Sequence, residues 1–223
     1  MDTATSLTRP IVVVPLEFER RALSDTAVSQ LCEIVCCGPG ASSVGQWVAS
    51  CGSGEQPLIL VGLAGSLRED IATGTAHRVA KIIDDDGREW KPTFKGRDCE
   101  TSASRDLTIV STHQAVTDSA AKRALAQQTG ADLVDMESAA FAAAASQIQR
   151  PWAVVRGVSD GVDDSLPDDI EDWIDEKGRT KTAAVISAIV RRPALIGAVR
   201  RLRAQSAAAM DAVAELIDSM LSA

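Results

Sequence analysis

Histidine, tyrosine, paired cysteine and basic charge are all scarce or missing in this chain. Its 223 residues include only two histidines, His77 and His113, which argues against a histidine-based metal centre. Five cysteines (Cys32, Cys36, Cys37, Cys51 and Cys99) are odd in number and lack the C-x-x-C pairing of a metal or redox site. The N-terminus shows no basic–apolar–small signal pattern, so these thiols read as reduced and the location as cytoplasmic. No apolar run approaches transmembrane length. A formal charge of -8 argues against a nucleic-acid partner, because proteins that bind a phosphate backbone carry a basic face. Rings are few as well: no tyrosine, 3 phenylalanines and 4 tryptophans.

What is present is a hydrophobic fraction of 45% and a length that suits one α/β domain, residues 1–223, with no internal repeat and no linker. Met1 to Pro10 reads as a loosely docked lead-in. Ile11 to Val14 is a buried strand by its continuous β-branching, and after Pro15 a helix begins with Glu17 and Glu19 in its first turn. Cys32 to Cys37 is a second strand, leading through Gly38-Pro39-Gly40 into a helix from Ala41 to about Ala49. Pro57 to Val61 is a third, running into a turn at Gly62-Leu63-Ala64-Gly65-Ser66-Leu67. His77 to Ile83 and Trp90 to Phe94 flank an Asp-Gly turn as a hairpin, Lys95 to Arg105 reads as a mobile loop, and Leu107 to Val110 is a further strand. Thr117 or Asp118 caps a helix that Gly130 stops. Gly161 to Lys181, acidic and rich in turn formers, is expected to lie over a site. Two helices follow, Thr182 to Arg191 and an amphipathic stretch from Leu195 to Met220. The Gly38–Gly40 loop does not fit the G-x-G-x-x-G dinucleotide fingerprint, which excludes a Rossmann dehydrogenase.

The chain is organised around Val134 to Asp160. An apolar–acidic junction, Leu133-Val134-Asp135-Met136-Glu137, leads into an alanine-rich helix that Arg150-Pro151 ends. The apolar run Trp152 to Val155 is then a buried strand that delivers Arg156, Ser159 and Asp160 at its C-terminal end, where open α/β sheets place ligands. Two carboxylates, Glu137 and Asp160, are thus offered at two strand ends of one unit.

Met-Glu-Ser-Ala-Ala at 136–140 and Val-Val-Arg-x-x-Ser-Asp at 154–160 together resemble the signature of the nucleoside phosphorylase and nucleosidase superfamily. That family includes purine nucleoside phosphorylases and methylthioadenosine/S-adenosylhomocysteine nucleosidases. The resemblance covers nearly the whole chain and implies a three-layer α/β/α fold with a mixed, twisted central sheet, and a homo-oligomer. It implies cleavage of the N-glycosidic bond of a purine nucleoside, adenine above all, with no cofactor.

Such cleavage needs an acid at the leaving purine and stabilisation of a cationic ribosyl group. The resemblance assigns the first task to Asp160, held partly protonated and oriented by Ser159. It assigns the second to Glu137 on the ribose hydroxyls, with Met136 against the sugar face. Arg156 would steady the nucleophile or its carboxylate partner. Gly62 to Leu67 resembles the family's G-x-A-G-G-L turn, with Ala64 and Gly65 against the sugar and Ser66 in place of a glycine. Val116 offers an apolar wall for the base, where the family often has a ring. The nucleophile is left open. It is water activated by Glu19, whose alternative reading is helix-start chemistry, or inorganic phosphate held by Gly38, Gly40 and arginines such as Arg21 or Arg156. Phe18-Glu19-x-Arg21, Gly62-Leu63-Ala64-Gly65 and Arg191-Arg192-Pro193 also resemble the hopanoid-associated phosphorylases, which implies adenosylhopane as one candidate substrate. The alternative from another class is a nucleoside-binding module without turnover. The presence of Glu19, Glu137 and Asp160 together favours an enzyme.

Overall fold

Strands of alternating aliphatic residues can bury both faces if helices cover both sides of one sheet. The computed structural model describes residues 9–96, 106–167 and 169–222. The lead-in up to residue 8 and the expected loop at 97–105 lie outside the described residues. Eight strands form one mixed sheet: β1 (Ile11–Val14), β2 (Glu33–Cys36), β3 (Leu58–Ser66), β4 (Ala76–Asp84), β5 (Glu89–Trp90), β6 (Asp106–Ser111), β7 (Leu133–Asp135) and β8 (Trp152–Asp160). β1 lies parallel between β2 and β3, and β3 runs parallel to β8. β8 pairs antiparallel with β4, β4 parallel with β6, β6 parallel with β7, and β7 returns antiparallel to β3. One end of the sheet therefore closes into a ring.

The helices are α1 (Glu17–Ser24), α2 (Val28–Leu31), α3 (Gly40–Ser50), α4 (Ser119–Thr129), α5 (Ser138–Gln147), α6 (Thr182–Arg191) and α7 (Leu195–Leu221). Ile11, Val13, Leu58, Leu60, Trp152 and Val154 point to one face, packed against Val44 and Val48 of α3 and Phe141, Ala142 and Ala145 of α5. Their neighbours Val12, Val14, Ile59, Val61, Ala153 and Val155 point to the other, under Leu23 of α1 and Met210, Val213 and Ile217 of α7. The period-two alternation of three adjacent strands thus produces the three layers. Among the described residues no helix is long and apolar enough to cross a membrane.

α4 starts and stops where its caps predict. The Asp118 side chain accepts the Ala121 N–H at 3.0 Å, and Gly130 turns left-handed at φ 66. Three expectations need correction. Gly62 to Ser66 continues β3 and is no turn, and β8 runs past the apolar run to Asp160. Each strand supplies the other's backbone partners over this length, with Gly62 opposite Arg156. Trp90 to Phe94 does not form a full strand, because the N–H groups of Thr93 and Phe94 both turn to the Trp152 carbonyl, at 3.0 and 2.9 Å. The β3–β8 register also shifts once: Ala64 faces Val158, Gly65 faces Asp160, and Ser159 has no counterpart.

α7 crosses β8 at Gly157, where a Cβ would lie 2.9 Å from the Ala209 carbonyl oxygen and 3.0 Å from the Ala209 Cβ. Neither atom can step aside without moving the helix. Gly157→Ala is expected to destabilise the fold by about 1–3 kcal/mol through overpacking. Urea denaturation measures this, and an unchanged midpoint would mean that α7 shifts freely.

Candidate active site

A cleft of about 190 Å³ opens where the C-terminal parts of β3 and β8 meet the residues that follow β1, β6 and β7, the last two strands running against the others. Pro15, Leu16, Leu63, Val116, Val134 and Leu166 give it apolar walls. Its charged lining is four carboxylates, Glu19, Asp135, Glu137 and Asp160, and one arginine, Arg156. The segment after β8 lies beside the cleft through two backbone hydrogen bonds and one to a side chain. The Leu166 N–H donates to the Thr117 carbonyl at 2.9 Å, the Glu17 N–H to the Gly178 carbonyl at 2.9 Å, and the Ala115 N–H to Glu171 Oε1 at 2.6 Å.

Glu19 is the third residue of α1 and satisfies two readings at once. Its Oε2 accepts the Leu16 N–H at 2.9 Å, as a carboxylate reaching back to a helix start does. Its Oε1 accepts the Leu63 N–H at 3.1 Å, which draws it over β3 into the cleft. Burial removes the charged form from water and pushes its pKa up to about 8, against the lowering effect of the Leu16 amide and of Arg156.

Arg156 has no exposed surface. Its Nη2 donates to Asp135 Oδ2, and to Ser138 Oγ at 3.2 Å, and stands 3.7 Å from Glu137 Oε2. Asp135 is fixed in turn by the hydroxyls of Ser111 and Ser138. Arg156 Nε and Nη1 have no partner among the described residues. Gly62 makes room for this arrangement, since a Cβ there would stand 2.6 Å from Arg156 Nη1 and 2.9 Å from Glu19 Oε1. Glu137, at the foot of α5, accepts the Gly40 N–H at 3.1 Å. Its pKa is raised by burial first of all, with Arg156 opposing and Asp135 reinforcing the shift.

Asp160 sits opposite Gly65, where a Cβ would reach to 2.8 Å of its Oδ2. Both of its oxygens have donors: Ser159 Oγ to Oδ1 at 2.7 Å and Lys122 Nζ to Oδ2 at 2.5 Å.

Asp160, Glu19, Arg156, Met136, Glu137, Ser159, Val116, Gly65 and Ala64 all line the one cleft. Of the residues expected around a phosphate, Arg156 lines it and Gly38, Gly40 and Arg21 do not. The Arg21 side chain is 72% exposed and pairs with Glu17 at 3.2 Å, on the solvent side of α1. The Gly40 amide is engaged by Glu137, and Gly38 lies under the segment over the cleft, with Glu176 O 2.7 Å from where its Cβ would be. Two residues escaped the sequence reading: Asp135, which holds Arg156, and Lys122, which holds Asp160. Lys122 lies one helical turn before Leu125 and Ala126, which pack inward from α4, and that spacing marks its face.

Residues 98–191 match the sequence model described as the phosphorylase superfamily. The structure resembles that of futalosine hydrolase from Helicobacter pylori, with a TM-score of 0.67, 14% identity, and 96% of this chain and 97% of that one covered. The fold is that of the nucleoside phosphorylase and nucleosidase superfamily. A second solved member, 5′-methylthioadenosine nucleosidase from Arabidopsis thaliana, gives a TM-score of 0.67 at 15% identity over 97% of each chain. A third, the nucleosidase MTAN from Chlamydia trachomatis bound to adenine, gives 0.62 at 15% identity over 96% of this chain and 98% of that one. Among curated protein sequences none matches. The match to the superfamily takes in Met136 to Asp160, the stretch that carries the resemblance in the sequence, while Glu19 and Gly62 to Gly65 lie outside it.

The buried Glu19 has a consequence for stability. Its folded pKa of about 8 stands above the 4.5 of a free glutamate, so between those limits the folded chain holds a proton that the unfolded chain has lost. This contribution is complete below about pH 4.5 and disappears as pH rises through about 8. Glu19→Gln has no such proton to lose. The difference in melting temperature, variant minus wild type, is therefore expected to grow between pH 5 and pH 9. A difference independent of pH would mean that Glu19 is ionised throughout.

Proposed function

We propose that this protein hydrolyses the N-glycosidic bond of an adenine nucleoside, with water as the nucleophile. The charge of the cleft carries the reading: four carboxylates face one arginine that is already paired with Asp135. Inorganic phosphate would enter beside Asp135, Glu137 and Asp160, with Arg156, whose Nη2 already serves Asp135, as the one cation in the lining, and the Gly40 amide that could meet it is held by Glu137. A neutral water suffers no such repulsion.

Each side chain then has a task set by its surroundings. Glu19 takes the proton of the attacking water. The unpaired Nε–H and Nη1–H groups of Arg156, beside Glu19, steady the oxygen and the charge that develops there. Glu137 accepts from the ribose hydroxyls, and its negative charge favours the cationic ribosyl group. The Gly40 amide and Arg156 fix its orientation, and Met136 lies against the sugar. Asp160 meets N7, with the adenine amino group a donor beside that acceptor on the same edge. Val116, Leu166 and Leu63 replace the ring that other members of the fold often place on the base. The solved neighbours named for methylthioadenosine or bound to adenine support the same leaving group.

Adenine release from methylthioadenosine and adenosine, followed by chromatography, is expected without phosphate and unchanged when phosphate is added. Release only with phosphate, yielding a ribose 1-phosphate, would overturn the choice of water. A base must be ionised to act, and with a pKa of about 8 only about a tenth of Glu19 is ionised at pH 7. The kcat/KM of the wild type is thus expected to rise about tenfold per pH unit toward pH 8 and to level off above it. Glu19→Gln should remove both the rate and this dependence; a wild-type profile flat from pH 6 to 9 would count against Glu19 as the base.

A further inference from the structure

Lys122 is 0% exposed, and a lysine with no access to water is rare without a charged partner. Its ammonium carries three N–H donors, and the structure accounts for all of them. One goes to Asp160 Oδ2 at 2.5 Å, one to the Gly161 carbonyl at 2.8 Å and one to the Asp164 carbonyl at 2.9 Å. Lys122 does not line the cleft, so it reaches a ligand only through Asp160. Asp160 has a Lys122 donor on one oxygen and the Ser159 hydroxyl on the other, and so holds no proton of its own in this arrangement. The leaving adenine nevertheless needs one.

We propose that Lys122 is the proton source for Asp160. The inference rests on the reading of the cleft as an adenine nucleosidase. With a nucleoside covering the cleft, the pair lies out of water, where two opposite charges can be removed by moving one proton across 2.5 Å. The Nζ–H bond breaks as Oδ2–H forms, leaving a neutral amine and a neutral acid. The Asp160 O–H bond then breaks as N7–H forms and the ribosyl C1′–N9 bond opens, its electron pair going to the base. Lys122 regains its proton from solvent after adenine leaves, and Glu19 returns to solvent the proton it took from water. Ser159 fits both states of Asp160. Its hydroxyl donates to Oδ1 at 2.7 Å, an oxygen that accepts whether or not Oδ2 carries the proton.

The other role open to Lys122 is that of a staple, tying the segment at 161–164 to the end of β8. The two roles part on a leaving group that needs no proton. Lys122→Met and Lys122→Arg are assayed on methylthioadenosine and on 4-nitrophenyl β-D-ribofuranoside, whose nitrophenolate departs as an anion. Arginine keeps the charge but has no proton to give. Both variants are expected to lose adenine release by about 100-fold or more while cleaving the nitrophenyl riboside near the wild-type rate. Equal loss on both substrates would make Lys122 a staple and overturn the proposal. Retained adenine release in Lys122→Arg would overturn it too, by showing that charge alone suffices. A wild type that releases no adenine would instead bring down the nucleosidase reading beneath it.

Discussion

A guanidinium without exposed surface sets the site. Arg156 lies in the middle of β8, bonded to Asp135 and close to Glu137, with Glu19 near its free side. Removing one member of such a buried set leaves charge uncompensated, which costs about 3–5 kcal/mol. Its position in the sheet is possible because the facing residue of β3 is Gly62. Gly65 plays the same part for Asp160. Two positions without side chains on β3 thus make room for two charged residues on β8, and the cleft is built into the sheet and not only into the loops around it.

The layers were legible in the sequence because β1, β3 and β8 are short β-branched or leucine runs, and such runs have few alternatives to a buried strand. The helix boundaries of α4 could be read from Asp118 and Gly130. The same local logic failed at Gly62 to Gly65. Glycines in series suggest a turn, and only pairing with a distant β8 keeps them extended. For the cleft, residues carried by a contiguous motif were found: Met136, Glu137, Arg156, Ser159 and Asp160. Arg21 and the Gly38–Gly40 loop were assigned to phosphate by resemblance and by a glycine turn at a helix start, yet Arg21 faces solvent one turn along α1 from its partner Glu17. Lys122 and Asp135 stayed hidden because their partners lie far along the chain, Asp160 38 residues after Lys122 and Arg156 21 residues after Asp135.

The acids of the cleft illustrate a trade between stability and reactivity. Glu19 is held by two backbone amides, yet burial outweighs both and keeps its proton affinity high. A carboxylate in that condition is a costly occupant of a core and a strong base once ionised. Glu137 is treated differently: an amide and a guanidinium share it. The Gly40 amide and one nitrogen of Arg156 are thus committed to the chain's own carboxylates.

The register shift between β3 and β8 decides which side chains share the cleft. Neighbours on a regular strand point to opposite faces, so a serine and an aspartate in succession could not both reach one cleft. Ser159 is the unmatched residue at the shift, and the local bend of such a bulge turns it and Asp160 to the same side. The hydroxyl and the acid are partners only because β8 is one residue longer than the stretch of β3 it pairs with. Shortening β8 there by one residue would restore an unbroken ladder and, in the same stroke, send one of the two into the core.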